Sequence, residues 1–403
     1  MTLSSPSQEI ELADVVRAFQ KDYTSRFAHV MLPSQKKALS DIAGCMTAIM
    51  GGQRLRCNDC RHSFWVYHSC RNRSCPKCHG KQTRLWLEKK GGELLPCPYF
   101  HLVATVPEEL RPIFLQEQKF MYSLLMKTVA SSLITLTRDP KWIGATPAIL
   151  TVLHTWTTQL QYHPHVHLLV SAGGISDDGA FWLEAKQSFL VPVKALSKII
   201  AARIRDALKK ERPMVFARID KRVWKKSWCS FCLPYGTGKQ AVLNYLGRYV
   251  FRIAITNHRI IAITETEVTF RYKDRENNRM GTMTLDGAEF LRRFLMHVLP
   301  RGFHKVRYYG LWHPGKRNLQ IAAKLLLILT PTAKQKIFLL VTELPKQENR
   351  EAATPDETKA FGSCCPQCGG EHLTLLWEIP RGHNRRLNLS IARGDPILPL
   401  GTR

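Results

Sequence analysis

Apolar residues fall at three- and four-residue spacing from Ile10 to Ser25 and again from Ser34 to Met50, where Gly51-Gly52 ends the pattern. Both stretches predict amphipathic helices. Glu93-Leu-Leu-Pro-Cys-Pro breaks the rhythm and reads as a boundary. Beyond it Tyr99 to Val106 predicts a strand and Glu108 to about Leu136 a long helix. Ala148 to Trp156 and His165 to Ala172 are β-branched or apolar runs joined by a short polar turn, which favours an antiparallel hairpin. Lys194 to Lys210 has helical periodicity, Trp224 to Leu233 reads as a strand, and Lys239 to Arg252 as a helix. Arg259 to Asp274 predicts a strand pair and Gly287 to Val298 another helix. Antiparallel strands with helices between them make an α+β chain. From Leu344 to Gly362 the sequence is charged and core-poor, a linker ahead of a small cysteine-bearing tail.

Length and charge narrow the class. The chain has 403 residues, enough for two or three domains, with 59 Lys plus Arg against 32 Asp plus Glu, a formal net charge of +27. That excess favours a polyanionic partner, with nucleic acid ahead of an anionic membrane surface. The start of the chain, Met1 to Ala13, is polar and partly acidic, unlike a signal sequence. No apolar run is longer than Leu325 to Leu329, which is far too short to span a bilayer, so no membrane partner is expected.

The segment from Arg56 to Lys81 has too little apolar sequence for a core of its own, and it carries cysteines. Cys57-x2-Cys60 and Cys75-x2-Cys78 are two knuckles whose four thiolates predict one tetrahedral structural zinc. Cys45 and Cys70 lie close enough to contribute to an additional zinc, with His62 and His68 nearby. Arg71, Arg73 and Lys77 crowd the same stretch and are candidate DNA contacts. Cys365-x2-Cys368, beside Cys364, is a single knuckle without a visible second pair. Cys229 and Cys232 fall in a predicted strand and read as core. Tyr235-Gly-Thr-Gly-Lys-Gln imitates a phosphate loop, but its spacing fails and Gln240 replaces the hydroxyl.

The chemistry concentrates in His163-Pro-His-Val-His. On a strand, His165 and His167 point to one face while Val166 points into a core. A divalent ion needs a third ligand. His154, at the end of the preceding strand, falls opposite His165 and His167 in the predicted hairpin. His163 is the rival, but Pro164 is expected to interrupt the strand there. Three neutral imidazoles leave coordination positions for phosphate oxygens; magnesium or manganese suits the phosphate, whereas imidazoles lean toward manganese, cobalt or zinc. Downstream, Tyr245-x3-Tyr249 puts two phenols on one helical face, with Arg248 and Arg252 placed to favour a phenolate.

Taken together, His165-Val-His167 followed by Tyr245-x3-Tyr249 resembles the histidine–hydrophobe–histidine (HUH) rolling-circle endonucleases. More closely, the chain resembles an insertion-sequence transposase of the ninety-one type. The resemblance runs through Cys57-x2-Cys60, Ser69-Cys-Arg-Asn-Arg-Ser-Cys-Pro-Lys-Cys78, His154-Thr-Trp, Val242-Leu-Asn-Tyr-Leu-Gly-Arg-Tyr249, Val268-Thr-Phe-Arg-Tyr-Lys-Asp274 and the stretch from Phe290 to Gly310. It covers roughly residues 35 to 325.

The resemblance implies a central antiparallel sheet with flanking helices, preceded by a small helical, zinc-binding domain. With the break at Glu93-Leu-Leu-Pro-Cys-Pro and the charged stretch near the end, the expected bounds are 1–95 for that domain, which would bind DNA, 96–330 for a catalytic domain and 331–403 for a basic linker and tail. The implied activity is a transposase that cuts and rejoins single-stranded DNA at mobile-element ends and joins it to target DNA through a 5′-phosphotyrosine. His165 and His167 carry over as metal ligands and Tyr245 and Tyr249 as nucleophiles, with a slight preference for Tyr245 in the first cleavage. The implied setting is the bacterial cytoplasm, at the nucleoid. Many relatives have Thr-His where this chain has Val250-Phe251, and often His where Ser74 stands. Some single-tyrosine relatives take a glutamine as third ligand, absent here, which favours His154. A rolling-circle replication initiator or conjugative nickase, and a zinc-dependent DNA-binding regulator without nuclease activity, are the alternatives.

Overall fold

The computed structural model describes residues 9–78, 94–186, 188–226, 228, 230–250, 252–274, 277–328 and 364–381, apart from the side chains of 239–241 and 248. The linker expected over 344–362, and Cys229, lie outside the described residues. The chain opens with helices α1 (Leu12–Phe27) and α2 (Pro33–Ala43), then the hairpin β1 (Gly52–Cys57) and β2 (Ser63–Tyr67). Strand β3 (Pro98–Thr105) leads into α3 (Arg111–Gln116) and α4 (Gln118–Thr137). Next come β4 (Thr146–Trp156), β5 (Tyr162–Ile175), β6 (Trp182–Glu184), α5 (Val193–Glu211) and α6 (Pro213–Phe216). Strand β7 (Ser230–Thr237) runs into α7 (Gly238–Tyr245), followed by β8 (Ile260–Ile263), β9 (Glu267–Lys273), β10 (Met280–Asp286) and α8 (Gly287–Met296). Strand β11 (Val306–Gly310), α9 (Arg317–Ile328) and β12 (Leu373–Ile379) complete the described elements.

The α+β expectation holds at the level of antiparallel sheets with helices. A six-stranded sheet has the order β11-β4-β5-β3-β7, with β6 paired to β5. Strand alternation divides its side chains. Phe100, Leu102, Ala104, Leu153, Val166, Leu168 and Val170 face α4 and α5. Tyr99, Leu150, Val152 and Leu169 face α7 and α9. Helix α4 is long and apolar enough to cross a bilayer by length and composition. Its Met121, Leu125, Val129 and Leu133 are instead buried on the sheet, as in a core helix. A third core joins α1 and α2 to α8 and the sheet β10-β9-β8. Contact is close enough that a Cβ on Gly287 would lie 2.1 Å from the Phe19 ring. This core runs across residue 95, so the helices of the expected amino-terminal domain share their apolar interior with residues 254–298.

Several boundaries differ from expectation for local reasons. The stretch expected to be helical through Met50 stops at Ala43, and a 3-10 turn follows at Ala48–Met50. The long helix after Glu108 is broken at Glu117, which leaves helical geometry (φ −107, ψ 41). Trp224 lies in a 3-10 turn rather than a strand, because the Asp220 side chain caps the amide of Arg222 and starts a helical turn. Pro164 does not interrupt its strand. Strand β3 ends opposite His165, and the β4 register slips between His154 and Trp156, so Pro164 sits where its missing N–H removes no ladder bond.

Candidate active site and metal centres

The three histidines converge because two adjacent strands bring them to one face in register. His154 of β4 is directly opposite His165 of β5, and Val152 is opposite His167. All three are buried, and each can offer a nitrogen within 4.8 Å of the others. Val166, between the ligands, is fully buried on the other face of the sheet. The Nε2 of His154 donates to the carbonyl of Tyr249 (2.7 Å), and the Nδ1 of His165 donates to the carbonyl of His163 (2.7 Å). A nitrogen that donates a proton cannot also ligate, so Nδ1 of His154 and Nε2 of His165 are left for coordination. The Nδ1 of His167 lies 3.0 Å from Nε2 of His101. Burial, then the nearby His165, holds the His154 imidazole well below its ordinary pKa and so in the neutral form that ligates. His163 is not in the cluster.

His101 was missed in the sequence. It lies on β3, diagonal to His167 across the β3–β5 ladder, where Val103 takes the directly opposite place. The only signal was its position in a predicted strand with the same alternation. Lys305 was missed too. It is half-buried just before β11, its Nζ donates to the carbonyl of Arg252 (3.2 Å), and its charge is felt at His154. Desolvation, then Arg73, lowers its ammonium to about 8.

The tyrosines occupy the same face of the sheet. Helix α7 ends at Tyr245 and continues as a π-helical turn over Leu246–Val250, a widening that recurs at functional sites. The two rings remain 4.7 Å apart. Tyr249 is half-buried and packs on His167 (4.5 Å) and His101 (4.7 Å). Tyr245 is fully buried behind it, 5.5 Å from His101 and 5.2 Å from Tyr235. Its hydroxyl has no hydrogen-bond partner among the described residues, and burial, then Tyr249, pushes its pKa well above 10.

The cysteines do not form the single set expected. Cys57, Cys60, Cys75 and Cys78 are divided between two clusters. Cys75 and Cys78 join Cys45 and Cys70, with sulfur separations of 3.6 Å (Cys45–Cys78), 3.5 Å (Cys70–Cys78) and 3.6 Å (Cys45–Cys75). Cys57 and Cys60 instead meet Cys368 and Cys365, each pair at 3.6 Å. The hairpin explains the division. Cys57 and Cys60 sit at its turn, whereas Cys45 and Cys70 sit by its open end, where the amide of Met46 donates to the carbonyl of His68. Five residues of strand hold these ends about 16 Å apart. A tetrahedron with Zn–S of about 2.3 Å has sulfur edges of about 3.8 Å, so both quartets fit structural zinc. Backbone amides of Cys70, Asn72 and Gln367 point at the sulfurs of Cys45, Cys70 and Cys365, each at 3.4 Å, as anionic ligands require.

The candidate DNA contacts separate in the same way. Arg73 is committed to the fold, donating to the carbonyls of Leu299, Pro300 and Phe303. Lys77 is paired with Glu11 at 2.6 Å. Arg71, in left-handed geometry (φ 54), and Arg252 are exposed. The side chain of Arg248 lies outside the described residues. Cys232 is half-buried against the α4–α5 core, as expected.

With this geometry in place, comparison with known proteins is specific. Residues 148–320 match the family model described as "Putative transposase", and residues 15–106 match a transposase zinc-binding domain of the IS91 type. A relative in Sinorhizobium fredii, described as "Putative transposase y4qJ", is 38% identical over 330 residues, covering 77% of this chain and 82% of the relative. The transposase for insertion sequence element IS801 of Pseudomonas savastanoi pv. phaseolicola is 28% identical over 296 residues, covering 68% of this chain and 69% of that protein. No solved structure matches the chain.

Proposed function

Because the chain belongs to the IS91-type transposases, with their amino-terminal zinc-binding domain, we propose that it cuts and rejoins single-stranded DNA at the ends of a mobile element by tyrosine attack. The observation that carries this reading is the contact of Tyr249 with the imidazole cluster. Its ring lies on His167 while its own carbonyl accepts from His154. His154, His165 and His167 would hold a magnesium or manganese ion, which when bound polarises the scissile phosphate. The phenol oxygen forms a bond to phosphorus as the bond from phosphorus to the 3′-oxygen breaks. The phenol proton leaves, and the 3′-oxygen departs as a hydroxyl. A 5′-phosphotyrosine results, and attack by a 3′-hydroxyl of target DNA reverses the exchange.

Tyr249 rather than Tyr245 makes the first attack, against the slight preference for Tyr245 that the resemblance implies. A fully buried phenol keeps its proton, and Tyr245 lies behind Tyr249 as seen from His167. His101 is a positioning residue that fixes the tautomer of His167, and Lys305 supplies positive charge beside His154. Such chemistry belongs at the bacterial nucleoid, in the cytoplasm.

The test is incubation of the full chain with labelled single-stranded DNA and manganese, followed by denaturing electrophoresis and mass spectrometry of the adduct peptide. The expected result is a metal-dependent adduct on Tyr249. It should be lost in Tyr249→Phe and in the His165→Ala/His167→Ala double variant. An adduct that survives the double variant in the presence of chelator overturns the mechanism, and one found solely on Tyr245 overturns the order of attack.

A further inference from the structure

The zinc-binding family match ends at residue 106, yet the Cys57–Cys60 knuckle is completed by Cys365 and Cys368, some 300 residues later. The closure is intimate. The amide of Cys365 donates to the carbonyl of Gly370 (2.7 Å), and a Cβ on Gly370 would lie 2.0 Å from an oxygen of Asp59. Beyond the knuckle, β12 adds to β1 as an outer strand, giving the sheet β12-β1-β2 from both ends of the described chain.

Register then determines what this sheet displays. Arg54 in the middle strand is directly opposite Trp377 on one side and Trp65 on the other. Directly opposed residues share a face, so the order across the sheet is Trp377, Arg54, Trp65. Tyr67 lies two residues from Trp65 on that face, with its ring stacked on it at 6.0 Å and 7°. The ring spans the place where Gly52 has no side chain: a Cβ on Gly52 would lie 3.1 Å from it. Arg56 follows Arg54 on the same face. Trp377 is 51% exposed, and both arginines are exposed with no ion pair among the described residues. The two tryptophans are two strand spacings apart, roughly 10 Å. Aromatic faces separated by an exposed guanidinium suit bases with a phosphate between them, and any base can stack on a π-face.

We propose that the two chain ends, joined by the Cys57/Cys60/Cys365/Cys368 zinc, form a stacking platform for single-stranded DNA, with Trp65, Tyr67 and Trp377 taking bases and Arg54 and Arg56 taking phosphates. The proposal rests on the reading of single-stranded DNA as substrate, but it concerns a surface separate from the imidazole cluster. The zinc holds the tail strand in place, so the tail is part of the DNA-binding module.

The experiment uses the zinc-loaded full chain and an oligothymidylate carrying 5-iodouracil. Ultraviolet crosslinking of the wild type, mapped by mass spectrometry, should mark Trp65, Tyr67 or Trp377. Binding by Trp377→Ala, an edge-strand change, should weaken about 5- to 100-fold with two zinc ions per chain retained. The double variant Cys365→Ser/Cys368→Ser should hold one zinc instead of two and bind as weakly as Trp377→Ala. Crosslinks that map elsewhere, together with wild-type affinity in Trp377→Ala, overturn the platform. Preference for a duplex of the same sequence overturns it also, and two zinc ions in the double-cysteine variant overturn the staple. Tyrosine adduct formation by the wild type is measured in parallel. Crosslinks at the platform without an adduct would sink the cleavage reading and leave the platform standing.

Discussion

The imidazole cluster and the cysteine quartets are both sets of convergent ligand side chains, but they are assembled by opposite means. His154, His165 and His167 come from two strands joined by one short turn, and strand register alone places them together. Backbone carbonyls then hold His154 and His165 in position. The cysteines are gathered across 33 residues in one quartet and 311 in the other. No residue of the strands β2 and β12 beside the second quartet is fully buried. In the first case the fold makes the site; in the second the site makes the fold. Removing the ion should therefore have different consequences in the two places.

The largest effect should follow from Cys75→Ser. Cys75 is buried with Cys45 and Cys78 in the core shared by α1, α2 and α8. Structural zinc contributes about 10 kcal/mol or more to folding in small sites. Loss of that ion should melt the amino-terminal core, visible as loss of zinc and a collapse of its thermal transition. The His165→Ala/His167→Ala variant should keep its zinc and most of its melting temperature. Its adduct yield should fall about a thousandfold, as expected when several kcal/mol of transition-state stabilisation is removed. Equal thermal losses in the two variants would break the comparison.

This division also explains what could be read from the sequence. Alternation across His165-Val166-His167 and the short β4–β5 turn are local, so the faces and the partner His154 could be anticipated. The helices α1, α5 and α8 were legible from apolar periodicity, within a few residues of their ends. The cysteine pairing was not legible, because two C-x2-C knuckles close in sequence look like one site until the hairpin between them is known to separate them. Strands β10 and β12 were equally hidden. Met280–Asp286 and Leu373–Ile379 bury little, and they are strands because β9 and β1 offer them an edge. His101 and Lys305 required the order of strands in the sheet, which periodicity does not contain.

His101 tests how far the fold alone prepares the imidazole cluster. If it orients His167 through the 3.0 Å contact, His101→Phe should weaken manganese binding about 10- to 100-fold, the usual range for an outer hydrogen-bond partner of a ligand. His101→Gln, which can still accept from Nδ1 of His167, should recover part of the loss. A merely structural role would show the same affinity in both variants and a difference only in stability.

Lys305 gives a smaller and pH-dependent effect. It is flanked by Arg73, Arg252 and His154, and its ammonium is lowered to about 8. The charged form is complete below that value and is lost above it, so attraction for phosphate should decline as pH rises from 8. Affinity for a strand without a scissile linkage should fall by up to about tenfold for the first unit beyond that pH. Lys305→Arg, which keeps its charge, should flatten the profile. An unchanged slope in that variant would remove Lys305 from the site.

The last effect is on stability rather than affinity and concerns the support beneath the histidines. His297, at the end of α8, is buried, with Nε2 on the carbonyl of Leu160 (3.1 Å) and Nδ1 near the hydroxyl of Thr155 (3.2 Å). Leu160 is the left-handed residue (φ 60) of the β4–β5 turn, so this imidazole secures the hairpin that carries the ligands. Its other neighbours are the rings of Trp156 and Tyr162, and none of these four neighbours carries an anionic charge to balance a second proton. Burial lowers its pKa from 6.5 to about 4, while the Leu160 carbonyl raises it by less. Between those values the unfolded chain binds the proton and the folded chain does not, so stability falls as pH drops from 6.5 to 4 and is flat above 6.5. Each unit crossed costs about 1.4 kcal/mol. Urea unfolding at pH 7.5 and at pH 5 should therefore show a larger loss for the wild type than for His297→Gln, which keeps a donor for Leu160 and does not titrate. Other groups contribute equally to both proteins and cancel in the difference. An identical loss in the two would mean that His297 binds its proton equally well in the folded and unfolded chain, and the buried, neutral anchor on the Leu160 carbonyl would have to be abandoned.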